Sequence, residues 1–251
     1  MRRTAVLIAS ALVGLPIASA IAGPPFNTEF AEPTDPGQTE IDLYSEVTRA
    51  QSFTSATLPG VQADYGLAPD VQVRALVPLA FEHESGASSQ YGLGDAQFGV
   101  KYRFLDDNGG QHWWPQLAVF PVVLAPTGER QRGLGQGGPA LSLPLWAQKN
   151  IGAWKIYGGG GYTLDYGVGT RNSGFLGLAV LRQFGSGLSL GGEIFEKQAN
   201  ISGASDSTTL HIGGSYDITE RYHVYFSVGR SLQNPAMTNR ISAYFALAAT
   251  F

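Results

Sequence analysis

From Thr39 to the C-terminal Phe251, polar and apolar positions alternate with a period of two, the period of a strand whose two faces meet different surroundings. The clearest run is Asp95 to Phe104. Asp95, Gln97, Gly99, Lys101 and Arg103 fall on one face, and Ala96, Phe98, Val100, Tyr102 and Phe104 on the other. Glu40, Asp42, Tyr44 and Glu46 oppose Ile41, Leu43, Ser45 and Val47, and Gln72 and Arg74 oppose Val71, Val73, Ala75 and Val77. Lys155, Tyr157, Thr163 and Asp165 likewise oppose Trp154, Ile156, Tyr162 and Leu164. Twelve strands are predicted, near residues 40–50, 58–67, 71–80, 94–105, 114–125, 139–148, 153–165, 173–184, 187–198, 206–217, 222–232 and 240–251.

Most of these runs exceed the roughly five or six residues usual in soluble sheets and approach the roughly 9 to 11 that cross a bilayer at a tilt. Tight turns near residues 68–70, 149–152, 185–187 and 217–221 interleave with longer polar loops near 81–93 and 126–138, the rhythm of a bacterial outer-membrane barrel. Strands in hydrocarbon must pair every backbone amide, which only a closed barrel achieves. The fold class expected is therefore all-β, a transmembrane antiparallel up-and-down β-barrel of about twelve strands, with residues 39–251 as one domain. Its last strand ends in the apolar row Ile241, Ala243, Phe245, Leu247, Ala249 and Phe251, a form that barrel assembly machinery reads.

Residues 1–22 have the form of an export signal: Arg2 and Arg3, an apolar run from Ala5 to Ile17, then small residues with possible cleavage after Ala20 or Ala22. Residues 23–38, carrying Pro24, Pro25, Pro33, Pro36 and Gly37, read as an irregular periplasmic lead-in. After the signal, no run approaches the roughly 18 apolar residues of a membrane helix.

Composition narrows the function classes. The chain has 33 glycines among 251 residues, 14% charged residues and no cysteine, so an exported form is not held by disulfides. Its formal net charge is -4, and loss of Arg2 and Arg3 with the signal leaves 14 bases against 20 acids, which excludes nucleic acid as an expected partner. Gly133-Leu-Gly135-Gln-Gly-Gly138 matches a dinucleotide fingerprint by letter, yet the strand-like Pro139 to Pro144 follows where a helix is required. Gly187-Leu-Ser189-Leu-Gly191 matches a nucleophile elbow, but its serine lies inside an alternating strand. His83 and His112 are expected in loops, and His211 and His223 on polar strand faces; hairpin register places His211 opposite Glu193 as a hydrogen-bonded pair. No metal site, cofactor or catalytic residue is expected. Trp113, Trp114, Trp146 and Trp154, with Tyr162 and Tyr216, are expected as interfacial girdle residues.

The chain also resembles a known group, the outer-membrane barrels catalogued under the MetA pathway of phenol degradation and often labelled transporters. The resemblance rests on Tyr91-Gly-Leu-Gly-Asp95, Gly99-Val-Lys-Tyr-Arg103, Phe120-Pro121, Pro126-Thr-Gly128, Arg132-Gly-Leu-Gly135, Leu143-Pro-Leu-Trp146, Tyr157 to Tyr162 and Gly192-Glu-Ile-Phe195. It implies passage of aromatic compounds and carries over no catalytic residue.

The expected function is a passive channel for a small, weakly polar or aromatic solute in the outer-membrane lipid. Inward candidates are the acids Glu40, Asp42, Glu46, Asp64, Asp95, Asp165 and Glu193, the bases Arg74, Lys101, Arg103, Lys155 and Lys197, and His211. Lys101 and Arg103 are expected to form a doubled positive patch at one level of the bore. The alternatives are a structural or adhesive barrel without transport and a membrane-embedded lipid-modifying enzyme.

Overall fold

The structure is a computed structural model that describes residues 25–251 except residue 202; the export signal lies outside the described residues. The alternating runs form twelve antiparallel strands: β1 (Thr39–Arg49), β2 (Phe53–Ala68), β3 (Val71–Glu84), β4 in two segments (Gln90–Leu93 and Ala96–Leu105), β5 in two segments (Gln116–Val119 and Val122–Ala125), β6 (Ala140–Ile151), β7 (Trp154–Asp165), β8 (Ser173–Phe184), β9 (Leu188–Lys197), β10 (Ser207–Asp217), β11 (Tyr222–Ser231) and β12 (Ile241–Thr250). Each strand pairs with the next, and β12 pairs with β1 from Glu40 opposite Thr250 to Arg49 opposite Ile241, closing the barrel.

Pro121 interrupts β5 because it has no amide hydrogen to give the ladder. The wall remains bonded across the break: Val100 N–H donates to the Pro121 carbonyl at 3.1 Å, and Phe120 N–H to that of Pro144 at 3.2 Å. The β2–β3 hairpin is longer than its sequence suggests. Leu58-Pro59 reads as the start of a strand, but the pair sits in a register shift between Thr57 and Gly60, with pairing continuing to Phe53 opposite Glu84. His83, expected in a loop, consequently belongs to β3.

One end of the cylinder, the turn rim, carries the connections at residues 69–70, 152–153, 185–187 and 218–221, both Thr39 and Phe251, and one longer loop at 106–115. The opposite loop rim carries the connections at 50–52, 85–89, 126–139, 166–172, 198–206 and 232–240.

The outer wall is apolar, as the alternation requires. Phe98 and Val100 are exposed on it, while Lys101 between Val100 and Tyr102 is fully buried inside. Trp113, Trp154, Tyr162 and Tyr216 are exposed, but Trp146 corrects the expectation of a girdle role at that position: it is 3% exposed and packs inside the barrel with Ala31, Ala118 and Phe120. Leu143 and Leu145 occupy the outward positions of that strand, so parity turns Trp146 inward. The glycine run on β7 reflects close strand approach, since a Cβ on Gly161 would stand 2.7 Å from both Phe175 Cζ and Pro144 Cα.

Residues 25–38, legible in sequence only as irregular chain, run through the interior of the barrel. Phe26 and Phe30 pack against Tyr157, Ala179 and Leu181, forming one apolar contact inside the bore, while Ala31 of the same segment belongs to the Trp146 cluster. The segment leaves the interior where Pro36 bridges Gly66 at the turn rim, and Thr39 then begins β1. Residues 25–38 are called the plug below.

Candidate functional site

The bore is organised by ion pairs between plug and wall. Glu29 of the plug lies 2.5 Å from Arg74 and 3.1 Å from Lys101; Arg74 also binds Asp64 at 2.7 Å. Asp64 accepts further hydrogen bonds from Gln62 at 2.8 Å and Gln72 at 2.6 Å, while Gln72 accepts from Thr34 N–H at 2.9 Å. Glu32 meets Lys155 at 3.5 Å and accepts from Gln148 at 3.1 Å. Burial disfavours the Glu29 charge, but the positive charges of Arg74 and Lys101 outweigh it and hold the carboxyl at about 2, so Glu29 is ionised at neutral pH.

These contacts bring together five of the twelve inward charges expected from sequence. Asp64, Arg74, Lys101 and Lys155 form one plug-centred network, and Asp42 joins it by accepting from Gln62 at 3.2 Å. Glu40 is buried beside them, paired in register with Asp64. Arg103 does not join. It binds Asp70 at 2.6 Å and Gln116 at 3.1 Å at the turn rim, so the doubled positive patch with Lys101 is absent: Lys101 is covered by Glu29.

Two further acids serve loops. Asp95, at the break in β4, accepts from Gly128 N–H at 2.8 Å and Gln136 N–H at 2.7 Å, fastening the 126–139 loop. Asp165 accepts from Gly167 N–H at 2.9 Å, Thr170 Oγ1 at 2.7 Å and Asn200 Nδ2 at 3.1 Å at the loop rim. Lys197 is exposed at the loop-rim end of β9.

Toward the loop rim the plug leaves a cavity of about 340 Å³, floored by Pro25, Phe26 and Asn27. Glu46 lines it beside Tyr44 and Tyr244, whose rings are 5.9 Å apart and inclined by 25°. This is the lower end of the roughly 300–1,000 Å³ usual for small-molecule sites. Its aromatic pair offers ring faces, and Glu46, Arg74 and Gln97 offer polar contacts.

One wall of the cavity carries a row across four strands. Glu193 on β9 pairs with His211 on β10, His211 with Gly229 on β11, and Gly229 with Ser242 on β12. Glu193 Oε1 lies 3.0 Å from His211 Nδ1, and His211 Nε2 lies 3.2 Å from Ser242 Oγ. The imidazole reaches across β11 because residue 229 is glycine: a Cβ there would stand 2.1 Å from His211 Cδ2. Glu193 also accepts from Thr28 N–H at 2.5 Å and Asn27 Nδ2 at 3.2 Å, so the plug touches this row as well. His223, the other polar-face histidine, binds Asp217 at 2.9 Å near the turn rim.

Residue-by-residue alternation finds the wall but not the plug or Ser242. The segment's own signals are Phe26 and Phe30, apolar residues in otherwise irregular chain, and Glu29 and Glu32, acids three apart. Among the described residues no group of three or more His, Cys, Asp or Glu is arranged to hold a metal ion.

No protein-family model matches the chain, and no curated protein matches it in sequence. Solved structures match its fold. The COG4313 outer membrane channel from Pseudomonas putida F1 superposes with a TM-score of 0.73 at 18% identity, covering 88% of this chain and 98% of that one. The KdgM porin superposes at 0.59 with 11% identity over 84% and 99%, and the NanC porin at 0.56 with 9% identity over 84% and 98%. The chain is thus a closed twelve-stranded antiparallel barrel of the outer-membrane type, structurally similar to porins and channels.

Proposed function

We propose that the protein is an outer-membrane channel that passes a small, weakly polar or aromatic solute through a bore narrowed by its own N-terminal segment. The observation that carries this reading is the cavity of about 340 Å³ between the plug and the loop rim, with Tyr44 and Tyr244 beside Glu46. An aromatic pair next to a few polar groups suits a ring with a polar substituent better than a heavily hydrated ion. The sequence resemblance to barrels associated with phenol degradation supports the aromatic choice.

The turn rim then faces the periplasm, the usual side for short connections, and the loop rim faces outward. Export removes residues 1–22, barrel assembly machinery inserts the chain, and outer-membrane lipid surrounds the apolar wall. The plug also favours a second reading, a structural barrel without transport, because it fills the lower bore with buried ion pairs.

Reconstitution into liposomes separates the two. Uptake of monoaromatic solutes by the full chain, exceeding that of sugars of similar size, is expected for the channel. Absence of uptake both by the full chain and by a folded variant lacking residues 25–34 leaves the structural barrel.

A further inference from the structure

Glu193, His211 and Ser242 have the mutual geometry of a nucleophile, a base and an orienting carboxylate. With His211 Nδ1–H donating to Glu193 at 3.0 Å, Nε2 is left as the acceptor for the Ser242 hydroxyl at 3.2 Å. Such a constellation is recognised by geometry and roles rather than by fold, and the strand setting of Ser242 does not count against it. His211 and Ser242 both line the cavity, on the loop-rim side of the plug where a solute entering from that rim arrives. A fourth group completes the set. Asn239 Nδ2, from the loop before β12, donates to Ser242 Oγ at 2.8 Å, which leaves the hydroxyl proton to His211 Nε2 and keeps an amide donor at hand for the carbonyl oxygen once Oγ has attacked.

We propose that this row is an ester-cleaving site within the bore, with Ser242 as nucleophile and His211 as general base, acting on small esters that fit beside Tyr44 and Tyr244. This goes beyond passage of solutes and does not depend on it. Ser242 Oγ attacks the ester carbonyl carbon as its proton passes to His211 Nε2, forming a tetrahedral adduct whose oxyanion accepts from Asn239 Nδ2. Collapse of the adduct breaks the bond to the alcohol oxygen, which takes the proton from His211 and leaves, and the acyl group remains on Ser242. Water then attacks the acyl carbon, giving one proton to His211. The carboxylic acid departs, and that proton returns to Ser242 Oγ. Glu193 touches none of the reacting atoms; it is a positioning residue that fixes the imidazole tautomer and stabilises the imidazolium. Its remaining hydrogen bonds come from Asn27 and Thr28 of the plug, so the seated plug completes the carboxylate's environment.

The test uses the full-length mature chain, folded in detergent. A fluorophosphonate probe is expected to leave a covalent adduct on Ser242, located by mass spectrometry of the digested protein, and His211→Gln should lower that labelling at least tenfold. Hydrolysis of p-nitrophenyl butyrate should fall to the buffer rate in Ser242→Ala and stay at the parent rate in Ser186→Ala, which alters the turn between β8 and β9. Glu193→Gln should lower kcat at least tenfold with KM within about twofold, whereas a role in packing alone would leave turnover on the folded fraction unchanged. Because labelling interrogates the unaltered protein, a variant that fails to fold does not shield the proposal. No adduct on Ser242 in the parent overturns it, as does equal hydrolysis by the parent and Ser242→Ala.

Discussion

Glu29 and Arg74 meet at 2.5 Å inside the barrel, one from the plug and the other from the wall of β3. Arg74 is shared with Asp64, and Glu29 is shared with Lys101, so four charges hold the plug to one side of the bore. Buried pairs of this kind add little net stability when whole, but removing one partner strands the other and costs about 3 to 5 kcal/mol.

Glu29→Gln should therefore loosen the plug, because Lys101, fully buried, then keeps no carboxylate within salt-bridge distance among the described residues. Single-channel recordings in planar bilayers are expected to show larger and more frequent openings than the parent. Identical traces would mean that these pairs do not hold the bore narrow.

The same pair predicts a pH response of definite sign. Glu29 is held at about 2 when docked, against an ordinary value of 4.5. A depressed carboxyl contributes its stabilisation in full above the ordinary value and loses it as pH falls through the docked one, here roughly 3 kcal/mol between pH 4.5 and 2. Conductance of the parent should rise as pH drops through that window, and Glu29→Gln should lack this component.

Lys101 and Arg103, two residues apart on β4, should behave differently on replacement by alanine. Lys101→Ala removes one of the two cations on Glu29 and should increase conductance. Arg103→Ala releases Asp70 and Gln116 at the turn rim and should lower thermal stability with little change in conductance. Equal conductance changes in the two variants would contradict the separation seen here.

The lipid-facing wall gives a third kind of test. Phe98 is 51% exposed on the outer face, whereas Gln97 lines the cavity. An arginine near the bilayer midplane costs roughly 2 to 4 kcal/mol, so Phe98→Arg should assemble into lipid vesicles far less well than Gln97→Arg. Equal assembly would reverse the assignment of faces.

At the end of the chain, Phe251 exchanges both backbone hydrogen bonds with Thr39, at 2.9 and 3.0 Å, and its ring lies 5.5 Å from the Arg221 guanidinium. Deleting Phe251 should lower outer-membrane yield in cells, read by heat-modifiable migration of membrane fractions. A truncated chain inserted as efficiently as the parent would remove the last residue from any assembly signal.

Alternation makes the wall legible because each strand has a dry face and a polar one, and one misplaced residue would invert a whole strand. Hairpin register extends that reading to pairs, which is how Glu193 opposite His211 follows from spacing alone. Ser242 requires two further registers and a glycine at position 229 for the imidazole to cross, information that is spread over three strands. Trp146 is hidden for a different reason: tryptophan is so common at membrane interfaces that its residue type points outward, against the parity that puts Leu143 and Leu145 on the outer face. The plug has no period to read. Its placement comes from partners on strands far along the chain, as in the pairing of Glu29 with Arg74 and the hydrogen bond from Thr28 N–H to Glu193, 165 residues away.

The plug runs directly into β1, and β1 is the strand that meets β12 to close the cylinder. Cork and seam are therefore one continuous stretch of chain. Threading that stretch into a finished barrel would bring Glu29 and Glu32 into a bore already lined by the buried carboxylates of Glu40, Asp42 and Asp64. Laying it against a sheet still open along the β1–β12 edge avoids that passage, and zipping the edge then wraps the wall around it. Any movement of the plug is therefore tethered at the seam, where Thr39 begins the strand that closes the wall.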